Sequence, residues 1–466
     1  MKTLAGDERD SDRAARSAAA AVARQDASAA AGGSAAGLGS KAIKEQQSVT
    51  ASDLRKRLWA LQRTMWAITD YSRLRGCHRW IAKGFTGASL RWHEPGRASW
   101  GGIQTSSSVW ASPLSAASIS KTRAEEVGTA LQNWFQQDSG HAVEFLTLTL
   151  AHSRYQSLKE VWDALSYCWR GVTGTAAWRG GARTVGDKTR FGIEHWLKSV
   201  EVTHGKSGWH VHLHCLLFLK RGLSTVERES LEARLYSRWR SAAERKKFKA
   251  PSRKHGIKLE RAVRDKNASD LGSYMAKGAV TSVFESLSWE MTSGQTAKTA
   301  KSENRSPFQI LDDIRRSGDY SLKNPDVRLW RIWESGSLGR RQMAWSMGAK
   351  DLLGVVDLDD SAAEAVEEAP TPGVEVAQIV FEEWTKRRED TGEKLADDLH
   401  IRREITDYIA QARDAGEAYS RAERILSALR IHFVQLASPV KIEPFSPPPP
   451  PVNVFQSRAP LGNRRC

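Results

Sequence analysis

The sequence predicts an α+β fold, in which a central antiparallel β-sheet is flanked by helices. Three observations carry that prediction. Val143–Leu150 is a short apolar run rich in β-formers, bounded by polar residues. Leu197–His204 and Trp209–Leu219 are two β-like runs separated by Gly205-Lys206-Ser207-Gly208, which reads as a hairpin with a four-residue turn. Around them lie segments with a helical apolar period, beginning with Leu54, Leu58, Leu61, Met65 and Ile68.

In chain order, residues 1–48 contain no aromatic side chain and are dominated by small and charged residues, so they are expected to form a disordered arm. The first amphipathic helix follows, with Ser52 as its expected N-cap. Gly76–Ser120 is rich in Gly, Ser and Trp and reads as loops and short strands. Lys121–Phe135 and Ser157–Trp169 are expected helices. Between Arg234 and Lys254 nine Lys or Arg residues stand against one Glu, in a basic helical stretch. A helix beginning near Ser269 carries Tyr274, and further helical segments run from Leu311 to Leu353. The domain reading is a core domain with an N-terminal extension at 49–280, a helical extension at 281–356 and an acidic linker at 357–373. A small helical module at 374–438 and a Pro-rich disordered tail at 439–466 complete it.

Composition narrows the partners. The 466 residues carry a formal charge of +16 with 40% hydrophobic content, a globular balance with a surplus that favours a polyanion. Eighteen tryptophans among many cations suit both core packing and base stacking. The four cysteines form no C-x-x-C pair, which argues against a disulfide framework and for a reducing cytoplasm. No run approaches the ~18 apolar residues of a membrane span, and no membrane partner is expected.

The hairpin concentrates the chemistry. Alternate residues of a strand share a face, so His210, His212 and His214 project together. If His204 pairs with Trp209, Thr203 faces His210 and Glu201 faces His212. Directly opposed residues have β-carbons about 4.5–5.5 Å apart. Imidazoles with one carboxylate suit a divalent cation such as Mn²⁺ or Zn²⁺, with positions open to a substrate oxygen. Downstream, Asp270, Tyr274 and Lys277 fall on one helical face at i, i+4 and i+7. A phenol with a reference pKa near ~10 becomes a useful nucleophile when a cation polarises the phosphate it attacks.

With these pieces together, the chain resembles the rolling-circle plasmid replication initiators of the HUH endonuclease superfamily, single-tyrosine, actinobacterial plasmid type. The likeness rests on FLTLTL (Phe145–Leu150), GWHVHLHCLLFL (Gly208–Leu219) and SYMAKG (Ser273–Gly278), with SPFQIL (Ser306–Leu311) and GRRQMAWSMGAKDLLG (Gly339–Gly354) after them. It implies an HUH endonuclease fold, His212 and His214 as ligands of Mn²⁺ or Mg²⁺, and Tyr274 as the nucleophile that keeps the 5′ phosphate and frees a 3′ hydroxyl primer. Lys277 matches the lysine of the tyrosine motif. Asp270 stands where related initiators carry a glutamate that activates water in the terminating cleavage. His210 is an additional histidine, and Glu201 is the geometric choice for a third ligand. Many relatives have zinc-ligating cysteines around Gln104–Ser115; here Ser106, Ser112 and Ser115 stand in that stretch, and local order is expected from packing around Trp110.

The resemblance implies an origin-specific DNA nickase and strand transferase acting on origin DNA, single-stranded at the nick, with a host helicase and DNA polymerase as partners. Arg238, Arg240, Lys246, Lys247 and Lys249 are the residues expected along the DNA backbone. A mobilisation relaxase or transposase with the same chemistry, and a non-catalytic origin-binding regulator, remain as alternatives.

Overall fold

The computed structural model describes residues 51–106, 108–262, 304–356, 358, 373–434 and 440–442. Asp270, Tyr274 and Lys277 lie outside the described residues. Helix α1 (Ala51–Ile68) buries Leu58, Leu61, Met65 and Ile68, the stripe its sequence period announced.

The five-stranded antiparallel sheet has the order β6-β3-β5-β4-β7. Its strands are β3 (Ala142–Thr149), β4 (Ile193–Gly205), β5 (Gly208–Leu219), β6 (Ile257–Arg261) and β7 (Met343–Trp345). Strands β1 (Gly87–Glu94) and β2 (Arg97–Gly101) belong to a second sheet. The β4–β5 hairpin turns more tightly than its sequence suggested. Gly205 pairs with Gly208, so only Lys206 and Ser207 lie between the strands. Gly208 takes φ +86°, a conformation that glycine adopts without a Cβ penalty.

Alternation along β5 gives the sheet two different faces. Val211, Leu213, Cys215, Leu217 and Leu219 enter the main core. Helices α3 (Leu158–Thr173) and α4 (Thr225–Arg245) supply that core with residues such as Val161, Leu165, Leu231 and Leu235. On the opposite face, Leu216 and Phe218 join a smaller cluster with Val127, Leu131 and Trp134 of helix α2 (Pro113–Gln137). His210, His212 and His214 continue that same face toward the hairpin turn. The small cluster covers the sheet only at the Leu216–Phe218 end.

Helix α2 begins well before Lys121. Ser112 caps it by accepting from the Ser115 N–H at 3.3 Å, and Pro113 occupies the first turn, where its missing N–H costs nothing. Ser112 and Ser115 are part of a buried polar network. Ser112 donates to Gln62 Oε1 at 3.1 Å, and Ser115 Oγ lies 2.9 Å from His78 Nε2. Trp110 is buried nearby, edge-on to Trp162 and Trp333.

Helices α5 (Pro307–Ser317) and α6 (Pro325–Ser337) follow, and both carry Pro in their first turn. The second sheet has the order β2-β1-β8-β9, with β8 (Gly373–Val380) and β9 (Val440–Ile442). Besides its helices, the segment read as a small helical module at 374–438 contains most of β8, which pairs with β1 from the N-terminal part of the chain. Ala88 and Leu90 pack there with Val376, Ala377 and Ile379, beneath helices α7 (Leu399–Ala410) and α8 (Ala415–Ala428). A lone strand leaves its backbone groups unpaired, and here the partner of β8 lies more than 280 residues earlier in the chain, Trp92 facing Val374. The outcome is a mixed α/β chain with two antiparallel sheets and a helical C-terminal region.

Candidate functional site

The hairpin register is the one the sequence predicts: His204 faces Trp209, Thr203 faces His210 and Glu201 faces His212. The Glu201 carboxylate nevertheless turns diagonally, and His214 Nε2 lies 3.0 Å from Glu201 Oε2. Diagonal partners on a strand pair remain within reach of long side chains.

The neighbouring strand supplies groups that the sequence reading passed over. β3 runs antiparallel to β5 with Thr147 opposite His214 and Thr149 opposite His212. Thr147 Oγ1 lies 3.3 Å from His214 Nδ1, and Thr149 Oγ1 lies 3.0 Å from His212 Nδ1. Three residues beyond Thr149, His152 Nε2 is 2.5 Å from His210 Nδ1, while His152 Nδ1 donates to the Ser207 carbonyl at 3.1 Å. Each histidine of the face thus has its Nδ1 held by a side chain at or just beyond the end of β3. The alternation of Thr147 and Thr149 in FLTLTL was a readable signal. His152 had none, because only tertiary pairing brings it to the hairpin turn.

Burial sets the charge of this face. Desolvation pushes His210 down to about 3, helped by the neighbouring imidazoles of His212 and His152. It pushes His212 down to about 4 against the opposing pull of Glu201. His152 is also lowered, again by burial. The hydrogen bond from His214 holds the Glu201 carboxyl below the usual carboxylate range, outweighing its desolvation. Neutral imidazoles with lone pairs beside a carboxylate form a donor set whose chemistry fits a divalent ion. The donors meet in pairs, His214 with Glu201 and His210 with His152. Among the described residues no group of three or more His, Cys, Asp or Glu is gathered as a ready-made metal site. Beside His210 opens a cavity of about 280 Å³, lined in part by Thr149, His152, Ser207, Ser252 and His255.

The five basic residues expected on DNA divide. Arg238 reaches the wholly buried carboxylate of Asp187 at 2.6 Å, and Arg234 binds the same carboxylate at 2.5 Å. Arg240 pairs with Glu244 at 2.9 Å on the exposed side of α4. Lys246 is exposed and lies 5.3 Å over the Tyr167 ring. Lys247 and Lys249 are exposed, and Lys249 bridges to Ala151, next to His152. On the sheet itself, Lys258 of β6 stands opposite Thr147 and so on the histidine side, paired with Glu260 at 2.7 Å. Among the described residues, no helix is long and apolar enough to cross a membrane.

The geometry defines a mixed α/β protein with a histidine-bearing antiparallel sheet, whose three histidines are half-buried. Comparison of the sequence with known proteins places it further. It is 27% identical over 315 residues to a protein of Streptomyces lividans described as "Protein rep". The match spans 57% of this chain and 66% of the relative, slightly under two thirds of that protein's length. The chain is thus a distant homologue of a Rep-like protein. No protein-family model and no solved structure matches it.

Proposed function

We propose that the chain is a plasmid rolling-circle replication initiator of the HUH type, a divalent-metal-dependent nickase and strand transferase acting at an origin. The observation that supports it most is the half-buried histidine face. His210, His212 and His214 have their Nδ1 atoms engaged from the β3 side, and Glu201 stands on the adjoining strand. Held at Nδ1, an imidazole can ligate through Nε2; in His214 that nitrogen meets Glu201. The distant similarity to a Streptomyces Rep protein supports the same reading.

His212 and His214, with Glu201 and His210, would hold Mn²⁺ or Mg²⁺. Once bound, such an ion supplies Lewis-acid polarisation of a phosphate oxygen. Tyr274 attacks the phosphorus, forming a bond from its phenolic oxygen and expelling the 3′ oxygen of the cleaved strand. Lys277 stabilises the phenolate, and Asp270 takes a proton from water in the terminating cleavage. Lys247 and Lys249, in the exposed basic stretch after α4, guide the DNA backbone, and the freed 3′ hydroxyl passes to a host polymerase behind a host helicase.

A non-catalytic origin-binding regulator is the second reading, favoured by the mutual engagement of His214 and Glu201. Incubation with single-stranded origin DNA and Mn²⁺ or Mg²⁺ separates the two. The nickase reading expects a covalent protein–DNA adduct that Tyr274→Phe abolishes, and Asp270→Ala should spare first nicking while impairing termination. Absence of any adduct with the intact protein refutes the nickase reading.

A further inference from the structure

The hydrogen bonds around His152 fix which nitrogen of His210 carries the hydrogen. The Ser207 carbonyl can only accept, so His152 Nδ1, 3.1 Å away, carries a hydrogen. At pH 8 a histidine is neutral and carries one ring hydrogen. His152 Nε2 is then a lone pair, and it faces His210 Nδ1 at 2.5 Å. Two ring nitrogens bond only when one of them donates, so His210 Nδ1 carries the hydrogen. That leaves His210 Nε2 as an unprotonated lone pair.

His214 stands the other way round. Its Nε2 meets a carboxylate, Glu201 Oε2 at 3.0 Å, so this nitrogen carries the hydrogen and Nδ1 accepts from the Thr147 hydroxyl. To ligate through Nε2, His214 must part from Glu201, lose the hydrogen there and take one up at Nδ1. The Thr147 hydroxyl can accommodate this by turning from donor to acceptor. His210 needs no such exchange.

We infer that His152 is a positioning residue that hangs from the Ser207 carbonyl and presets His210 as the first imidazole ligand of a divalent cation. The inference rests on the metal-centre reading above and adds to it the ligand that is ready before binding and the residue that readies it. It also gives the β3–α3 loop a task, since this loop carries His152 to the hairpin turn. Gly208 keeps that approach open: a Cβ there would come within 2.9 Å of the Arg154 backbone.

The test uses full-length protein labelled with ¹⁵N-histidine at pH 8 without added metal, read by long-range ¹H–¹⁵N imidazole correlation. The His210 signal, assigned by its loss in His210→Gln, is expected to show Nδ1 protonated and Nε2 bare. Mn²⁺ titration calorimetry is the second readout. His152→Phe, which keeps a ring but removes the acceptor, should weaken Mn²⁺ binding about 10–100-fold. His152→Gln, which places a carbonyl oxygen near the former Nε2, should restore binding to within about threefold of wild type. A hydrogen on His210 Nε2 in the wild type, or undiminished Mn²⁺ binding by a folded His152→Phe, overturns the inference. If the wild type binds neither Mn²⁺ nor Mg²⁺, the metal centre itself is refuted and the ligand assignment falls with it. The wild-type spectrum, recorded without metal, still decides separately whether the Ser207–His152–His210 relay exists.

Discussion

Replacing Arg238 by Ala tests whether the basic helix α4 serves the fold or the DNA. The Arg238 side chain is 14% exposed and its guanidinium sits 2.6 Å from Asp187, whose carboxylate is fully buried. Opening a buried pair by removing one partner costs about 3–5 kcal/mol. Arg234 still holds the other carboxylate oxygen at 2.5 Å, although it is 36% exposed and partly screened by water. The lower end, about 3 kcal/mol, is therefore expected. For a cooperative unit of 150–250 residues that is a fall of roughly 6–12 °C in melting midpoint, at about 2–4 °C per kcal/mol. Urea unfolding followed by tryptophan fluorescence gives the energy, and single-stranded DNA binding across a salt series gives the number of phosphate contacts. The expected result is a lowered midpoint with an unchanged salt slope. If stability stays within about 0.5 kcal/mol while the slope falls by about 0.7, Arg238 is a phosphate contact and the ion-pair reasoning is wrong.

Lys247→Ala and Lys249→Ala should do the opposite, each lowering the single-strand salt slope by about 0.7 with little change in unfolding; unchanged slopes would remove these lysines from the DNA path. Thr149→Val and Thr147→Val should each weaken Mn²⁺ binding about 10-fold or more, with Thr→Ser at either position restoring it; calorimetry that finds Val and Ser alike would reduce the threonines to packing. The ion-free protein should lose stability as pH falls from about 6.5 toward 4. His210 and His212 are lowered to about 3 and about 4 when folded, so in that window the unfolded chain binds more protons and is favoured. His210→Asn should flatten this profile; melting midpoints that do not move with pH in the wild type would contradict the buried, neutral assignment.

Much of the histidine face was legible in the sequence. A strand has a side-chain period of two, and a tight turn between two β-runs fixes the pairing sum, so Glu201 opposite His212 followed from counting. The stripe of α1 was legible for the same reason, because a period of 3.6 needs no distant partner. What counting could not supply was the third strand. The phasing of β3 against β5 is set by long-range pairing and by the apolar residues behind the sheet. Only that pairing brings Thr147, Thr149 and His152 to the imidazoles. The start of α2 was missed because its cap, Ser112-Pro113, stands in a stretch whose Gly and Ser content suggested loop. The strand β8 beside the C-terminal helices was not legible, because its partner β1 lies far earlier in the chain.

By itself, then, the sequence determined that three histidines and a glutamate share one strand-pair face, since that depends only on local alternation and turn length. The tertiary structure decided how each histidine is held, that Glu201 turns to His214, and that Arg238 belongs to Asp187. Side-chain hydrogen bonds and buried ion pairs depend on which distant groups arrive within about 3 Å, and that is a property of packing that no periodicity encodes.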